Sequence, residues 1–308
     1  MMSAAAHGGL YAATICPMTE EGALDRASLE RHFQTVLSDP GQAGLLLNGH
    51  AGEGIHMTRA EQAEVVRIAR EVAGKRRILA AVSAETTATA AADAQAALRA
   101  GADAIMVFAP FSWALGADPR AIVAHHRGIA EATGAPVYLF QGSVGSFKLA
   151  YTPDVLRQLL EIDSVVGIKE GSWETKAYEV TRRIAREMRA DVAVMASGDE
   201  HLFPCFMLGS DGSAVSLAAL VPELITGLDA HVRAGEIDEA RMIHEALFGL
   251  AKLVYAAPGH LAAARLKACL AELGRIDSPA CRAPTPRIEP TELAALMTAL
   301  RPCLELIL

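Results

Sequence analysis

Cysteine is scarce in this sequence, and the cysteines present form no recognisable pair. The 308 residues contain five, widely spaced along the chain: Cys16, Cys205, Cys269, Cys281 and Cys303. An odd number without any C-x-x-C pair excludes the spacing that zinc ribbons and dithiol redox motifs require. We therefore expect reduced thiols in a cytoplasmic protein.

Long apolar segments and basic blocks are also absent. Residues 1–9 lack the charged segment and apolar stretch of a secretory signal, and no run reaches the roughly 18 apolar residues of a membrane-spanning helix. The net charge is −8, and lysine and arginine form only short runs such as residues 75–77. We expect a protein that is neither secreted nor membrane-spanning, and that binds neither nucleic acid nor an anionic membrane.

What the sequence does contain is a regular alternation of short strand-like runs and longer amphipathic runs. Hydrophobic residues make up 52% and charged residues 21% of the chain, which is typical of a globular protein with a sizeable core. Eight strand-like runs lie at residues 10–15, 44–47, 78–82, 104–108, 137–140, 165–169, 192–196 and 213–216. Helical runs follow them, with Asp25 as one predicted N-cap and Thr58 and Glu61 as a predicted capping box.

Eight such βα units predict an α/β fold, a (β/α)8 or TIM barrel over residues 1–234, rather than an open doubly wound sheet. Beyond the eighth unit only helical runs are readable, at about 237–255, 261–273 and 290–308, with a proline-rich link at 279–290. We predict that residues 235–308 form a C-terminal helical extension packed beside the barrel.

One lysine lies at the end of a buried strand-like run. Residues 165–168 are apolar, and Lys169 follows them directly before the turn signal Glu170-Gly171. The ordinary interpretation is a lysine that caps a strand, because lysine is usually solvated. The alternative is an amine whose pKa is lowered by burial, so that it attacks a carbonyl and forms a Schiff base.

Other polar groups also fall at strand ends, where the active sites of barrel enzymes lie. The glycines after the second strand allow backbone N–H groups to face a ligand oxygen. The strand-end motifs are Asn48-Gly49-His50-Ala51-Gly52-Glu53, Phe140-Gln141-Gly142-Ser143, Ser197-Gly198-Asp199 and Val215-Ser216.

Over roughly residues 9–282, the order and spacing of these motifs resemble the dihydrodipicolinate synthase/N-acetylneuraminate lyase family of class I aldolases. The matching positions are Pro17, the loop 49–53, Gly101-Ala102-Asp103-Ala104, Pro110, Gly167-Ile168-Lys169-Glu170, Gly198-Asp199 and the run 209–216. The resemblance implies that Lys169 captures the keto carbon of pyruvate or another small 2-oxo acid. It also implies that the backbone around His50 and Ala51 holds the acid's carboxylate, while Gly198 and Val215 line the pocket. No metal or organic cofactor is implied, and the family is usually homo-oligomeric, which suggests a tetramer or a dimer.

The sequence departs from the family pattern at several site positions. The family loop carries two threonines where this chain has His50 and Ala51. Its catalytic tyrosine and the next asparagine align with Phe140 and Gln141, which we expect to contact the substrate. A second family tyrosine, donated across a subunit interface, falls at or beside Phe111-Ser112, and a substrate-binding arginine falls near Gly145. A phenyl ring cannot transfer a proton, so these departures disfavour lysine biosynthesis and favour a less acidic substrate.

Three residues are candidates to replace the missing proton relay. His50 has an ordinary pKa near 6.5, suited to proton transfer at neutral pH, although it could instead only hydrogen-bond the loop. Tyr138 has the strand parity of Phe140, one layer deeper, where a core role is the better interpretation. Glu53 is better interpreted as structural. The adjacent His125 and His126 point in different directions on a helix, which disfavours a metal site.

Two hypotheses of function follow. The first is a class I aldolase-type lyase that forms a Schiff base on Lys169 and acts as a catabolic aldolase or a dehydratase on a 2-oxo acid. The second is a barrel that has lost catalysis and serves as a 2-oxo acid binding or regulatory protein. Retention of Lys169 at a strand end favours the first, since a binding protein gains little from a desolvated amine.

Overall fold

The computed structural model of the chain describes residues 6–143 and 149–307. Within these residues, eight parallel strands follow one another in sequence order and close into a barrel. The strand β1 pairs with both β2 and β8, since Tyr11 is in register with Gly44 on one side and Ala214 on the other. The predicted (β/α)8 barrel is confirmed, with strands β1 (Gly9–Ala13), β2 (Gln42–Leu47), β3 (Arg77–Val82), β4 (Ala104–Val107), β5 (Val137–Gln141), β6 (Val165–Glu170), β7 (Ala193–Ala196) and β8 (Gly212–Val215).

Helices follow the strands and cover the outside of the barrel. The predicted caps are confirmed, because the Asp25 carboxylate accepts the Ser28 N–H, and Thr58 and Glu61 form a capping box. The helices of the barrel are α1 (Arg26–Ser38), α2 (Arg59–Ala73), α3 (Thr87–Ala100), α4 (Pro119–Thr133), α5 (Pro153–Leu160), α6 (Thr175–Met188), α7 (Leu202–Met207) and α8 (Pro222–Ala234).

Side chains along each strand alternate between the barrel interior and the layer beneath the helices. On β3, Leu79 and Ala81 belong to the interior cluster, whereas Ile78 packs in the outer cluster. The same alternation sends Gly167 and Lys169 of β6 toward the interior. The alternation along β6 therefore determines that the Lys169 side chain points into the barrel interior.

Tyr138 of β5 fills the barrel interior below Lys169. Its ring occupies the space beside Gly167, where an added Cβ would lie only 2.4 Å from a ring carbon. The Tyr138 hydroxyl donates to the carbonyl of His7 over 2.8 Å, at the end of the barrel where the strands begin. The core interpretation of Tyr138 is confirmed, because its hydroxyl points away from the strand ends that carry Lys169.

Three further helices, α9 (Ile237–Val254), α10 (Ala262–Glu272) and α11 (Pro290–Glu305), follow the barrel. The link between α10 and α11 contacts the loops that follow β1 and β2. The Arg282 guanidinium donates to the carbonyls of Gly22 and His56 and to the Glu61 carboxylate. Arg282 thereby joins the extension to the end of the barrel where the strands finish. The predicted boundary between residues 234 and 235 stays a prediction.

Among the described residues, no single helix combines the length and the apolar character needed to cross a bilayer. The helix α9 and the segment Gly259–Glu272 meet those criteria only as a pair, and they are bent by 111°. All five cysteines are free thiols, and only Cys281 is more than slightly exposed.

Candidate active site

The carboxyl ends of the barrel strands surround a cleft with two adjoining parts. The larger part has a volume of about 480 Å³ and reaches Lys169 and Asp199. The smaller part, of about 410 Å³, lies between the loops that follow β4, β5 and β6. The two parts meet at the six residues that line both of them: His50, Phe111, Phe140, Trp173, Tyr255 and Gly259.

Lys169 lies at the base of the larger part of the cleft and is 8% exposed. Its Nζ lies 5.3 Å from the ring centre of Phe140 and 5.8 Å from that of Phe108. No carboxylate of the described residues forms an ion pair with it. Burial lowers the pKa of Lys169 to about 8, and the charge of Asp199 opposes this shift. About a tenth of such amines are neutral at pH 7, a far larger share than for a solvated lysine.

The neighbouring Glu170 faces the other side of the strand. Its carboxylate accepts hydrogen bonds from the hydroxyls of Ser172 and Thr181. Burial raises the pKa of Glu170 to about 7, and the hydrogen bonds oppose the shift. Because it points into the helix layer, Glu170 does not reach the cleft.

The loop 48–53 after β2 forms one wall of the cleft. Asn48 and Glu53 have left-handed backbone angles, with φ of 58° and 53°. Gly54 must be a glycine, because an added Cβ would lie 2.0 Å from the carbonyl oxygen of Asn48. Among the described residues, none accepts a hydrogen bond from the backbone N–H groups of His50 and Ala51. Both donors therefore remain available in the loop where the resemblance places a carboxylate.

The His50 ring borders both parts of the cleft and packs against aromatic rings. Its centre lies 4.8 Å from that of Phe108 and 5.7 Å from that of Phe140, both in edge-to-face geometry. The residue is exposed toward the cleft. The desolvation by the neighbouring rings and the charge of Lys169 still lower the pKa of His50 below its ordinary 6.5, so the imidazole is neutral at neutral pH.

Phe140 and Gln141, adjacent on β5, face opposite ways. The Phe140 ring stacks on Phe108 with 4.3 Å between centres and lines the cleft. The Gln141 amide instead binds the backbone of Tyr151, accepting its N–H over 3.0 Å and donating to its carbonyl over 3.3 Å. Phe140 is therefore placed to contact a ligand, whereas Gln141 is not among the residues that line the cleft, and its predicted contact stays a prediction.

Gly198 and Val215 lie in the wall next to the cleft, which their neighbours Ser197, Asp199 and Ser216 line directly. Gly198 has a φ of 96°, and an added Cβ there would lie 3.3 Å from the ring of Trp173. Glycine adopts this left-handed backbone angle without strain and leaves room for the Trp173 ring to pack against the backbone. The next residue, Asp199, then lines the cleft.

Asp199 is a buried carboxylate, 3% exposed, with two donors. Its Oδ1 accepts the N–H of Leu217 and its Oδ2 accepts the hydroxyl of Tyr255, each over 2.8 Å. Burial raises the pKa of Asp199, and the two hydrogen bonds and the Lys169 charge oppose the shift. Burial and the Asp199 charge raise the pKa of Tyr255 well above 10, so its hydroxyl keeps its proton.

Tyr255 is a site residue that the sequence analysis missed. It follows the last turn of α9 in the C-terminal extension, and its ring packs edge-on against Trp173 with 4.8 Å between centres. No motif around residue 255 marks it, because its place in the cleft depends on how the extension docks. Asp199 was noted only as part of the Gly198-Asp199 strand end.

Glu53 is held by a buried lysine of the extension. Its carboxylate, 3% exposed, forms an ion pair with Lys267, whose side chain is fully buried. Lys267 also donates to the carbonyl of Ala280 over 2.9 Å. The structural interpretation of Glu53 agrees with this pairing, which ties α10 to the wall of the cleft.

The remaining sequence candidates lie at the rim or outside the site. Phe111 is 45% exposed and lines the cleft, and its N–H donates to the Glu85 carboxylate over 3.0 Å. Gly145, near which the resemblance places an arginine, falls outside the described residues. His126 bonds Tyr151 over 2.8 Å, and nowhere in the described ranges do three His, Cys, Asp or Glu side chains cluster as a metal site would require.

Comparison with known proteins identifies the family. The dihydrodipicolinate synthetase family model matches residues 6–302. The 4-hydroxy-tetrahydrodipicolinate synthase 1 of Streptomyces coelicolor is 31% identical over 297 residues, which cover 95% of this chain and 92% of that one. The resemblance inferred from the motifs is thereby confirmed at the level of the family.

Solved structures show the same fold. The 4-hydroxy-tetrahydrodipicolinate synthase of Methylacidiphilum fumariolicum SolV superposes with a TM-score of 0.87 at 24% identity, covering 97% of both chains. The dihydrodipicolinate synthase of Acinetobacter baumannii, solved in complex with pyruvate, superposes with a TM-score of 0.84 at 24% identity, covering 96% of this chain and 98% of that one.

Proposed function

Because the chain belongs to the dihydrodipicolinate synthetase family, we propose that it is a lyase whose Lys169 forms a Schiff base with pyruvate or another 2-oxo acid. One observation carries the proposal: a buried amine without an ionic partner among the described residues lies at the base of an open cleft. Such an amine costs free energy in a purely structural role, whereas its lowered pKa supplies the neutral nucleophile that imine formation needs.

The proposed reaction begins with attack of the neutral Lys169 Nζ on C2 of the 2-oxo acid. The resulting carbinolamine takes up one proton and loses water, which leaves a protonated imine. The positive nitrogen then accepts the electron pair of a bond to C3, so that a C3–C4 bond can break or form, or a C3–H bond can ionise before loss of water. The N–H groups of His50 and Ala51 are proposed to hold the substrate carboxylate.

The substrate is proposed to be less acidic than that of a dihydrodipicolinate synthase, which suits a catabolic aldolase or a dehydratase. Apolar and aromatic side chains line much of the cleft: Ile55, Phe108, Phe111, Phe140 and Trp173. Among the described residues that line it, Lys169 is the only lysine or arginine. This lining favours a neutral distal group over a second carboxylate.

The direct test is borohydride reduction in the presence of pyruvate, followed by peptide mass spectrometry. The reduced adduct is expected on the peptide that contains Lys169, with the mass of one pyruvate. A panel of longer 2-oxo acids extends the test to the distal group. Absence of any adduct would favour the alternative, a barrel that binds 2-oxo acids or regulates without chemistry.

The rate of adduct formation is expected to rise with pH through about 8, the pKa of Lys169. Only the neutral amine attacks, so the rate should fall about tenfold per pH unit below that value and level off above it. The measurement is trapping by cyanoborohydride at fixed pyruvate across this range. A midpoint near 10.5, the ordinary lysine value, would show an amine open to water.

Replacement of His50 with alanine is expected to lower turnover while leaving the adduct intact. Because the ring is neutral, it can offer the substrate one hydrogen bond and apolar contact, so a loss of about tenfold is expected. Turnover is measured as deuterium exchange into the methyl group of pyruvate in D₂O, followed by proton NMR. Loss of the adduct itself would contradict this role and place His50 in substrate capture.

We also propose a cytoplasmic, homo-oligomeric protein. The free thiols support a reducing compartment. Phe111 and Leu115, in the loop after β4, are 45% and 85% exposed and give that loop an apolar surface on which a second copy can pack.

A further inference from the structure

The proposed chemistry needs a group that moves protons at C3 and C4, and the cleft contains an unassigned one. Phe140 has no hydroxyl, and the Tyr138 hydroxyl lies at the other end of the barrel. Glu53 is held by Lys267. Among the polar groups that line the cleft, Tyr255 and Asp199 are joined by a 2.8 Å hydrogen bond on the wall of the part that contains Lys169.

The hydrogen bond between them has a definite direction. Asp199 Oδ1 is taken by the N–H of Leu217, so Oδ2 is the oxygen that receives the Tyr255 hydroxyl. The phenol therefore donates its proton to the carboxylate. The hydroxyl and backbone N–H of Ser216 act on the phenol oxygen from the cleft wall and oppose the rise in its pKa. Trp173 holds the Tyr255 ring from the side, and its own ring lies against Gly198. The pair is thus fixed by contacts from the loops that follow β6, β7 and β8 and from the C-terminal extension.

We propose, resting on the Schiff-base function above, that Tyr255 is the catalytic acid and base of this site and that Asp199 is the carboxylate through which it exchanges its proton. The role that the resemblance would give to a tyrosine on β5 then belongs to a tyrosine after α9. The C-terminal extension supplies part of the catalytic machinery, not only a support.

The proposed step balances in protons and electrons. Tyr255 Oη takes a proton from C3 of the protonated imine, while the phenol's own proton passes to Asp199 Oδ2. The electrons of the C3–H bond form a C2–C3 double bond, and one electron pair of the C2–N double bond returns to nitrogen, which leaves a neutral enamine. The reverse transfer protonates C3. The raised pKa of Asp199 makes this carboxylate a better proton acceptor than a solvated one.

The test separates imine formation from proton transfer in the same protein. Borohydride trapping with pyruvate reports the imine, and deuterium exchange into the pyruvate methyl group reports removal of the C3 proton. Tyr255→Phe and Asp199→Asn are compared with Tyr138→Phe, which removes a buried phenol hydroxyl at the opposite end of the barrel. All variants are checked for unchanged thermal unfolding.

Tyr255→Phe and Asp199→Asn are each expected to lose about 100-fold or more of the exchange rate while the adduct still forms. Tyr138→Phe is expected to retain both. Unchanged exchange in Tyr255→Phe would overturn the proposal, as would exchange and adduct falling together, since that indicates a packing role. A larger loss of exchange in His50→Ala than in Tyr255→Phe would assign the proton transfer to His50 instead.

Failure of the underlying function gives a different result. If the unaltered protein forms no adduct with pyruvate or a longer 2-oxo acid, both the Schiff base and the relay are wrong. If it forms the adduct but exchanges no methyl proton, the Schiff base stands and the relay is overturned.

Discussion

Replacement of Lys169 with methionine is expected to abolish both the borohydride adduct and deuterium exchange into pyruvate. No other lysine lines the cleft among the described residues, so the loss should be on the order of 10⁴-fold or greater. Methionine has a similar length and suits the rings of Phe108 and Phe140 that surround the amine. The fold should remain, and the free energy of unfolding should stay constant or rise, because a buried cation without a partner is removed.

The matched control is Lys252→Met. Lys252 is exposed on α9, with its Nζ 5.7 Å from the ring centre of Phe248. This variant loses the same charge and should keep both the adduct and the exchange rate. Exchange that survived in Lys169→Met would show that a different group activates pyruvate, and the Schiff-base mechanism would have to be abandoned. Measuring urea unfolding of both variants separates chemistry from stability.

The barrel could be predicted because its elements carry local signals. Apolar runs, caps such as Thr58 with Glu61, and the regular alternation depend on residues close in sequence. Local signals say less about the segment after β7. The chain forms a short 3-10 turn at Asp199–His201 before α7 begins at Leu202. That turn is held by the bond from the Leu217 N–H to Asp199, a contact that no local pattern contains.

The site could be predicted in part, and strand parity explains which part. Lys169 and Phe140 end strands on inward-facing positions, so the resemblance and the alternation agree on them. Gln141 is one position further along β5 and faces outward, where it binds the backbone of Tyr151. Tyr255 depends on docking of the extension against the barrel, which the sequence indicates only as a run of helices.

A second large effect is expected in stability, from Lys267→Met. Lys267 and Glu53 are buried together, at 0% and 3% exposure of their side chains. Removing the lysine leaves the carboxylate without its counter-ion, which costs about 3–5 kcal/mol of unfolding free energy in comparable buried pairs. The loss of the hydrogen bond to the Ala280 carbonyl adds to this cost. The measurement is urea unfolding at pH 7.5 compared with the unaltered protein.

The double variant Glu53→Gln with Lys267→Met distinguishes the loss of a charge pair from the loss of packing. Because it removes both charges, it should be more stable than Lys267→Met alone, and the cycle should give a clear coupling energy. Additive losses would mean that water reaches the two groups and that the pair is weak. Since Glu53 ends the loop 48–53, Lys267→Met should also raise the pyruvate concentration needed for half-maximal trapping. Of the two buried lysines, Lys267 has a carboxylate partner and holds the loop. Lys169 has no ion-pair partner among the described residues, as its proposed Schiff-base role requires.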